Sequence, residues 1–169
     1  FETTHNWARS AGGFVPTGYD IAHDMARDLV TAQALLSQAG FHAERFALAG
    51  RVVELAYQLA PLAAAVTPEE RGGEWAQRAA SVADAGSESE WFRIECGLIR
   101  IAVAWSSTRS YPADVLQRES TRAQVDALIV LEGFQADPLT QSLCRLWGDR
   151  ALHLSLVPSG APTQACASH

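Results

Sequence analysis

The chain has no lysine: its thirteen basic residues are all arginine. A GC-rich codon pool that favours arginine and alanine accounts for this, and the many alanines agree with it. The functional alternative is avoidance of lysine-directed modification, as expected of an effector delivered into a host cytosol that contains a ubiquitin system. Cysteine is also scarce. Cys96 and Cys144 lie in apolar runs and Cys166 in a polar terminal segment, an odd, widely spaced set that excludes a disulfide framework and a zinc spacing. The two inner cysteines read as small buried hydrophobes.

A surplus of cations is missing as well. Nineteen acids face thirteen arginines, for a net charge of -6, whereas a surface that tracks phosphates needs clustered positive charge, so no nucleic-acid partner is expected. The longest apolar run, near Leu55 to Val66, is interrupted by Gln58 and Pro61 and falls short of a membrane span. The five histidines, His5, His23, His42, His153 and His169, never stand at the i, i+4 spacing that offers two ligands from one helix face. No cofactor and no metal site is expected. The chain opens Phe-Glu-Thr-Thr without an initiator methionine, compatible with a fragment, a mature form or a removed leader, and both cytoplasmic residence and secretion into a host cell fit as locations.

What is present suits a folded domain. Hydrophobic residues make up 48% and charged residues 19% of the 169 positions, outside the low-hydrophobicity, high-charge signature of disorder. Residues 1–16 carry no sustained period and contain Gly12, Gly13 and Pro16, which predicts an irregular N-terminal arm. A first helix is expected from Thr17, with Asp20 as capping partner, to a stop at Gly40, its core face formed by Ile21, Met25, Leu29, Ala32 and Leu36. In that reading Asp20, His23, Asp24 and Asp28 form a solvated acidic face. A second helix over His42 to Leu62 has apolar positions on more than one stripe, so it is expected at the centre, ended or kinked by Pro61.

Thr67-Pro68-Glu69-Glu70 combines an N-cap threonine with proline at the first helical position, and a helix to about Ala85 follows, with Trp75, Ala79, Val82 and Ala83 facing inward. Ser87-Glu88-Ser89-Glu90 is a second capping box. The carboxylates Glu88 and Glu90 are explained there by the helix dipole rather than by acid-base work. From it Trp91, Ile94, Leu98, Ile101 and Trp105 recur at steps of three and four, a seam for the middle of the core. Helices are also expected over Pro112 to Glu132 and Asp137 to Val157.

The fold class predicted is an all-α bundle of about six helices, with the arm at 1–16, one globular domain over 17–158 and a flexible tail at 159–169. The competing pattern is α/β. Ile99–Val103 and Leu152–Leu156 alternate with period two and Ala127–Leu131 is wholly apolar, which would make a β-α-β-α-β second half. The capping boxes favour helix.

Chemistry-bearing residues are scattered. Glu95 and Arg100 interrupt the most apolar helix, where an unpaired charge would be expensive, so a structural ion pair is expected; an unpaired, buried Glu95 would instead be a catalytic candidate. Arg100 and His23, the latter beside Asp20 and Asp24, are further catalytic candidates. Ser106-Ser107-Thr108-Arg109-Ser110 precedes a helix start whose backbone donors, helped by Arg109, could receive an anion. Tryptophan is in excess of what a small core needs, and Trp7, Trp75 and Trp147 are candidates for an interaction surface. These observations favour a non-enzymatic module that binds another protein, such as an adaptor, chaperone, immunity protein or effector domain. The alternative is a small enzyme or ligand-binding domain with a pocket between helices. An exposed apolar patch would favour the first, a closed pocket with a strongly perturbed acid or histidine the second.

Overall fold

The computed structural model describes residues 3–18, 20–84, 90–132 and 137–155, and helix dominates them. The first helix, α1, spans Thr4–Ser10 inside the expected arm. Seven residues are too few to show a period in sequence, and too few to be stable alone. Two things hold α1: the Thr3 side chain accepts from the Asn6 N–H, and Ala8 and Trp7 pack on the body, Trp7 edge-on to Trp147 with ring centroids 6.0 Å apart. The arm is therefore not irregular throughout.

Helix α2 runs Met25–Gln38, eight residues later than Thr17. The Thr17–Asp20 pairing exists, with the Asp20 carboxylate accepting from the Thr17 N–H at 2.5 Å, but it closes a turn. Asp24 is the N-cap, accepting from the Ala26 and Arg27 N–H groups. At the other end Gly40, with φ 94°, lets Gly40 N–H reach Ser37 O and Phe41 N–H reach Leu36 O, the bond pattern of a Schellman stop.

Helix α3, Arg45–Ala64, buries Val52, Val53, Leu55 and Ala56 at one level and Ala60, Ala63 and Ala64 at another, and packs on α2, α6 and α9. Pro61 neither ends nor breaks it at once. It lies in the last turn, where one forfeited backbone bond costs little cooperativity. The Thr67 cap behaves as predicted, its hydroxyl accepting from Glu70 N–H and donating to Glu70 Oε2, and it starts α4, Pro68–Glu70. A π-helical turn, Arg71–Trp75, joins α4 to α5, Ala76–Asp84. Val82, expected to face inward, is exposed.

Helix α6, Glu90–Ser107, contains the predicted seam: Leu98 and Trp105 are buried, and Ile94 and Ile101 pack against the same core. The capping residues Ser87–Ser89 and the Trp91 side chain lie outside the described residues. Ile99–Val103 is helical, not a strand. Gly97 lets the Phe41 ring approach closely, since a Cβ there would stand 3.1 Å from Phe41 Cζ.

The expected helix over Pro112–Glu132 is instead two short helices, α7 (Asp114–Gln117) and α8 (Glu119–Ala123), followed by strand β1 (Leu128–Glu132). Helix α9, Pro138–Trp147, starts at Asp137, and after a 3-10 turn strand β2, Ala151–Ser155, pairs parallel with β1 in the register Leu128↔Ala151 to Glu132↔Ser155. The all-α class holds. Of the rival pattern's three runs, the apolar one and the period-two run at Leu152 become strands, and they form one β-α-β unit added to the bundle. The predicted tail, 159–169, lies outside the described residues.

Two apolar clusters share α3. One gathers α2, α3 and α6; the other gathers Ala8, the end of α3, the segment Tyr111–Leu116 and the α9 residues Leu139, Leu143 and Trp147. Between α3 and α7 lies the one buried cation among the described residues. Arg71, 1% exposed, meets Asp114 at 2.5 Å, donates to Arg109 O at 2.8 Å and lies 4.7 Å from the centre of the Tyr111 ring.

Asp114→Ala strips this guanidinium of its counter-charge, and a loss of about 3–5 kcal/mol is expected in urea unfolding; a loss no larger than for an exposed substitution would refute the assignment. Asp137 caps α9 through Thr140 N–H at 2.9 Å and also accepts from the Thr4 hydroxyl of α1 at 3.2 Å. Burial works against its charge, yet these donors hold its carboxyl below the usual range. Its contribution is therefore present above the ordinary carboxylate pKa and is lost as pH falls through the depressed one. Asp137→Ala should cost about 0.5–2 kcal/mol and flatten the acid limb of a stability-against-pH curve.

Candidate functional site

The ion pair expected for Glu95 is with Arg51. Arg51 Nη2 and Nε reach Glu95 Oε1 at 2.5 and 3.0 Å, and Arg51 Nη1 reaches Glu54 at 2.7 Å. These side chains are about two-fifths exposed or more, so the triad is a surface tie between α3 and α6 of small energetic weight. The hydrogen bonds that Arg51 donates to both glutamates, Glu95 first, raise its pKa above the ordinary value. Arg100 is exposed on α6.

The acidic face before α2 differs most from expectation. Asp28 is fully buried; one carboxylate oxygen accepts from the Ala22 N–H at 3.1 Å and the other from the Tyr57 hydroxyl at 2.7 Å. Asp20 is buried too, accepting from the backbone N–H groups of Thr17 and Ser110. Both acids thus serve as scaffolds that organise the chain between α1 and α2. His23 sits among them at φ 53°, a conformation uncommon for a residue with a side chain, its ring 4.6 Å from that of Tyr57.

The loop Ser106–Ser110 is not an open anion cradle at the helix start. Its backbone donors are already engaged: Ser110 N–H with Asp20 and Tyr111 N–H with Asp114. The Ser107 and Thr108 hydroxyls donate back to Ala104 O, at 3.1 and 2.9 Å. Arg109 instead lines, with Thr108, Gln117 and Arg118, an open cleft of about 650 Å³ between the Gly13–Val15 loop and the start of α4. In its wall Gln117 donates to Ala64 O at 3.1 Å, while its buried Oε1 has no hydrogen-bond partner among the described residues.

A second cleft, about 370 Å³, lies on the other side of Phe14 and Ser110, between α1, the turn before α2 and the last turns of α3. His5, Arg9, His23 and Arg27 line it together with Ile21, Ala60 and Ala64. Sequence reasoning found His23 but not its companions, because α1 itself was not visible as a helix.

The tryptophans divide. Trp147 is buried, Trp7 docks against it, and Trp75 is partly buried against the same cluster. The outward apolar surface lies instead on the strand pair. Alternate residues of a strand share a face and paired residues share it across the ladder, so Ile129, Leu131, Leu152 and Leu154 lie on one side, and Leu128, Val130, Ala151 and His153 on the other. Leu128 and Ala151 pack on the core. The opposite side faces solvent, with Ile129, Leu152 and Leu154 59%, 50% and 51% exposed. The alternation of Leu152–Leu156 was legible; that the leucines point away from the core was not.

Among the described residues, no group of three or more His, Cys, Asp or Glu side chains is placed to hold a metal ion, and no helix is long and apolar enough to cross a membrane. No protein-family model, curated protein or solved structure matches the chain.

Burial, then the bond to Asp28, pushes the Tyr57 hydroxyl up to about 12. Because the folded state holds this proton more tightly than the unfolded state, its contribution is complete below the ordinary tyrosine pKa near 10 and fades as pH rises towards 12. Tyr57→Phe leaves a buried carboxylate short of a donor, and a loss of about 1–3 kcal/mol at neutral pH is expected. The same variant should weaken the decline in stability between pH 10 and 12 seen by circular dichroism. An unchanged alkaline limb would show that Tyr57 does not carry it.

Proposed function

We propose that the chain is a protein-binding module whose contact surface is the outer face of the β1–β2 sheet. One observation carries this reading: the period-two strand turns its leucines outward, against the rule that the apolar side of an alternating strand faces the core. Parallel sheets are ordinarily covered on both faces, and a two-stranded sheet alone is only marginally stable in water. A second protein laid over Ile129, Leu131, Leu152 and Leu154 completes the missing layer. Contiguous apolar patches of this kind on a chain of net charge -6 mark contact sites more often than chance.

The partner is a protein with a complementary apolar surface, a helix face or a sheet face, rather than a nucleic acid. The role fits an adaptor, chaperone, immunity protein or effector domain equally well. No catalytic chemistry is part of it.

A photo-crosslinking amino acid placed at Leu152, in cells or lysate of the natural source, is expected to yield a defined covalent partner. The same probe at Val82, an exposed apolar site on α5, should not, and Leu154→Glu should abolish the product from position 152. Indistinguishable products from positions 152 and 82 would overturn the proposal.

A further inference from the structure

The 370 Å³ cleft between α1, the turn before α2 and the end of α3 joins an apolar lining to a basic one. Its apolar floor comes from Ile21, Ala60 and Ala64, two of them buried in the core. Its rim carries four basic side chains from two separate elements: His5 and Arg9 on α1, and His23 and Arg27 flanking the α2 start. The acid in the lining, Asp20, is buried, and both its oxygens already accept backbone N–H groups. Arg27 is oriented by donating Nη2 to Thr17 O at 2.7 Å. Two guanidiniums thus face one spent carboxylate, in a chain that is acidic overall.

We infer that this cleft binds a small organic anion with an apolar body, a carboxylate on an aromatic ring or short aliphatic chain. The body rests on the floor, where it displaces water from Ile21 and Ala60. The carboxylate lies at the rim, where the planar forks of Arg9 and Arg27 match its two oxygens. The cleft volume falls in the range usual for small-molecule sites. His23 belongs to the same lining and holds a positive φ; such outliers collect where a function holds them. This site is separate from the sheet surface and stands or falls independently of it.

The test is isothermal titration of the full chain with benzoate, with its neutral counterpart benzyl alcohol, and with inorganic phosphate. Saturable benzoate binding is expected, with the alcohol and phosphate each at least about tenfold weaker, because each lacks one of the two contacts. Arg9→Gln should weaken benzoate about tenfold while leaving the melting temperature unchanged. Arg27→Gln should do likewise, and Arg9→Gln keeps the test valid if loss of the Thr17 contact loosens the 17–22 turn. Phosphate binding as tightly as benzoate, alcohol binding as tightly as benzoate, wild-type affinity in Arg9→Gln, or no saturable heat with benzoate would each overturn the assignment.

Discussion

The buried guanidinium of Arg71 is the constraint around which the lower half of the molecule is arranged. A charge taken out of water must find its compensation locally, since the desolvation penalty per ion is several kcal/mol. Here it finds Asp114, two backbone carbonyls, Arg109 O and Val66 O, and the face of Tyr111. These groups belong to two stretches of chain, the link after α3 and the run from Arg109 into the start of α7. The cation therefore fixes the segment between α6 and α7, and that segment is the shared wall of both clefts. The π-helical turn that begins at Arg71 belongs to the same solution; such widened turns are frequent where a helix must aim one residue.

Carboxylates do the complementary work on the other side of that wall. Asp20 gathers the Thr17 and Ser110 amides, and Asp28 gathers the Ala22 amide and the Tyr57 hydroxyl. A segment without regular structure must have its buried backbone donors satisfied by something. In the stretch between α1 and α2, acidic side chains take the place that ladder bonds take in a sheet. The helices supply apolar bulk, and a small set of ionised groups defines how the connecting segments lie.

The legible part of the sequence was the part governed by local chemistry. The Thr67 cap, the Gly40 stop, the α6 seam around Leu98 and Trp105, and the central place of α3 follow from caps and from the 3.6-residue period, and all appear in the structure. What stayed hidden depends on partners far along the chain. Asp28 carries no mark that distinguishes a surface acid from one that Tyr57 will cover. Helix α1 is invisible without Trp147 to receive Trp7. The strand pair was half visible: β1 and β2 were read as strand-like runs, but Ile99–Val103 has the same alternation and is helix, because its neighbours Leu98 and Trp105 extend a helical seam through it. The two clefts were out of reach for the same reason, since each is lined from at least three elements.

Thr4 of α1 bonds to Asp137 at a sequence separation of 133. Closing so long a loop carries a large entropic cost that must be met before the contact returns anything. Docking α1 carries this closure cost in addition to that of the bundle of α2, α3 and α6, whose contacts lie nearer in sequence. Helix α1 is short and its ties to the body are few, the Trp7–Trp147 edge, buried Ala8 and the Thr4 contacts to Asp137 and Thr140, which places it at the low-stability end of the chain. His5 and Arg9 lie on it. The shape of the basic-rimmed cleft is therefore coupled to the seating of α1, because two of its basic side chains are in place only while that helix is docked.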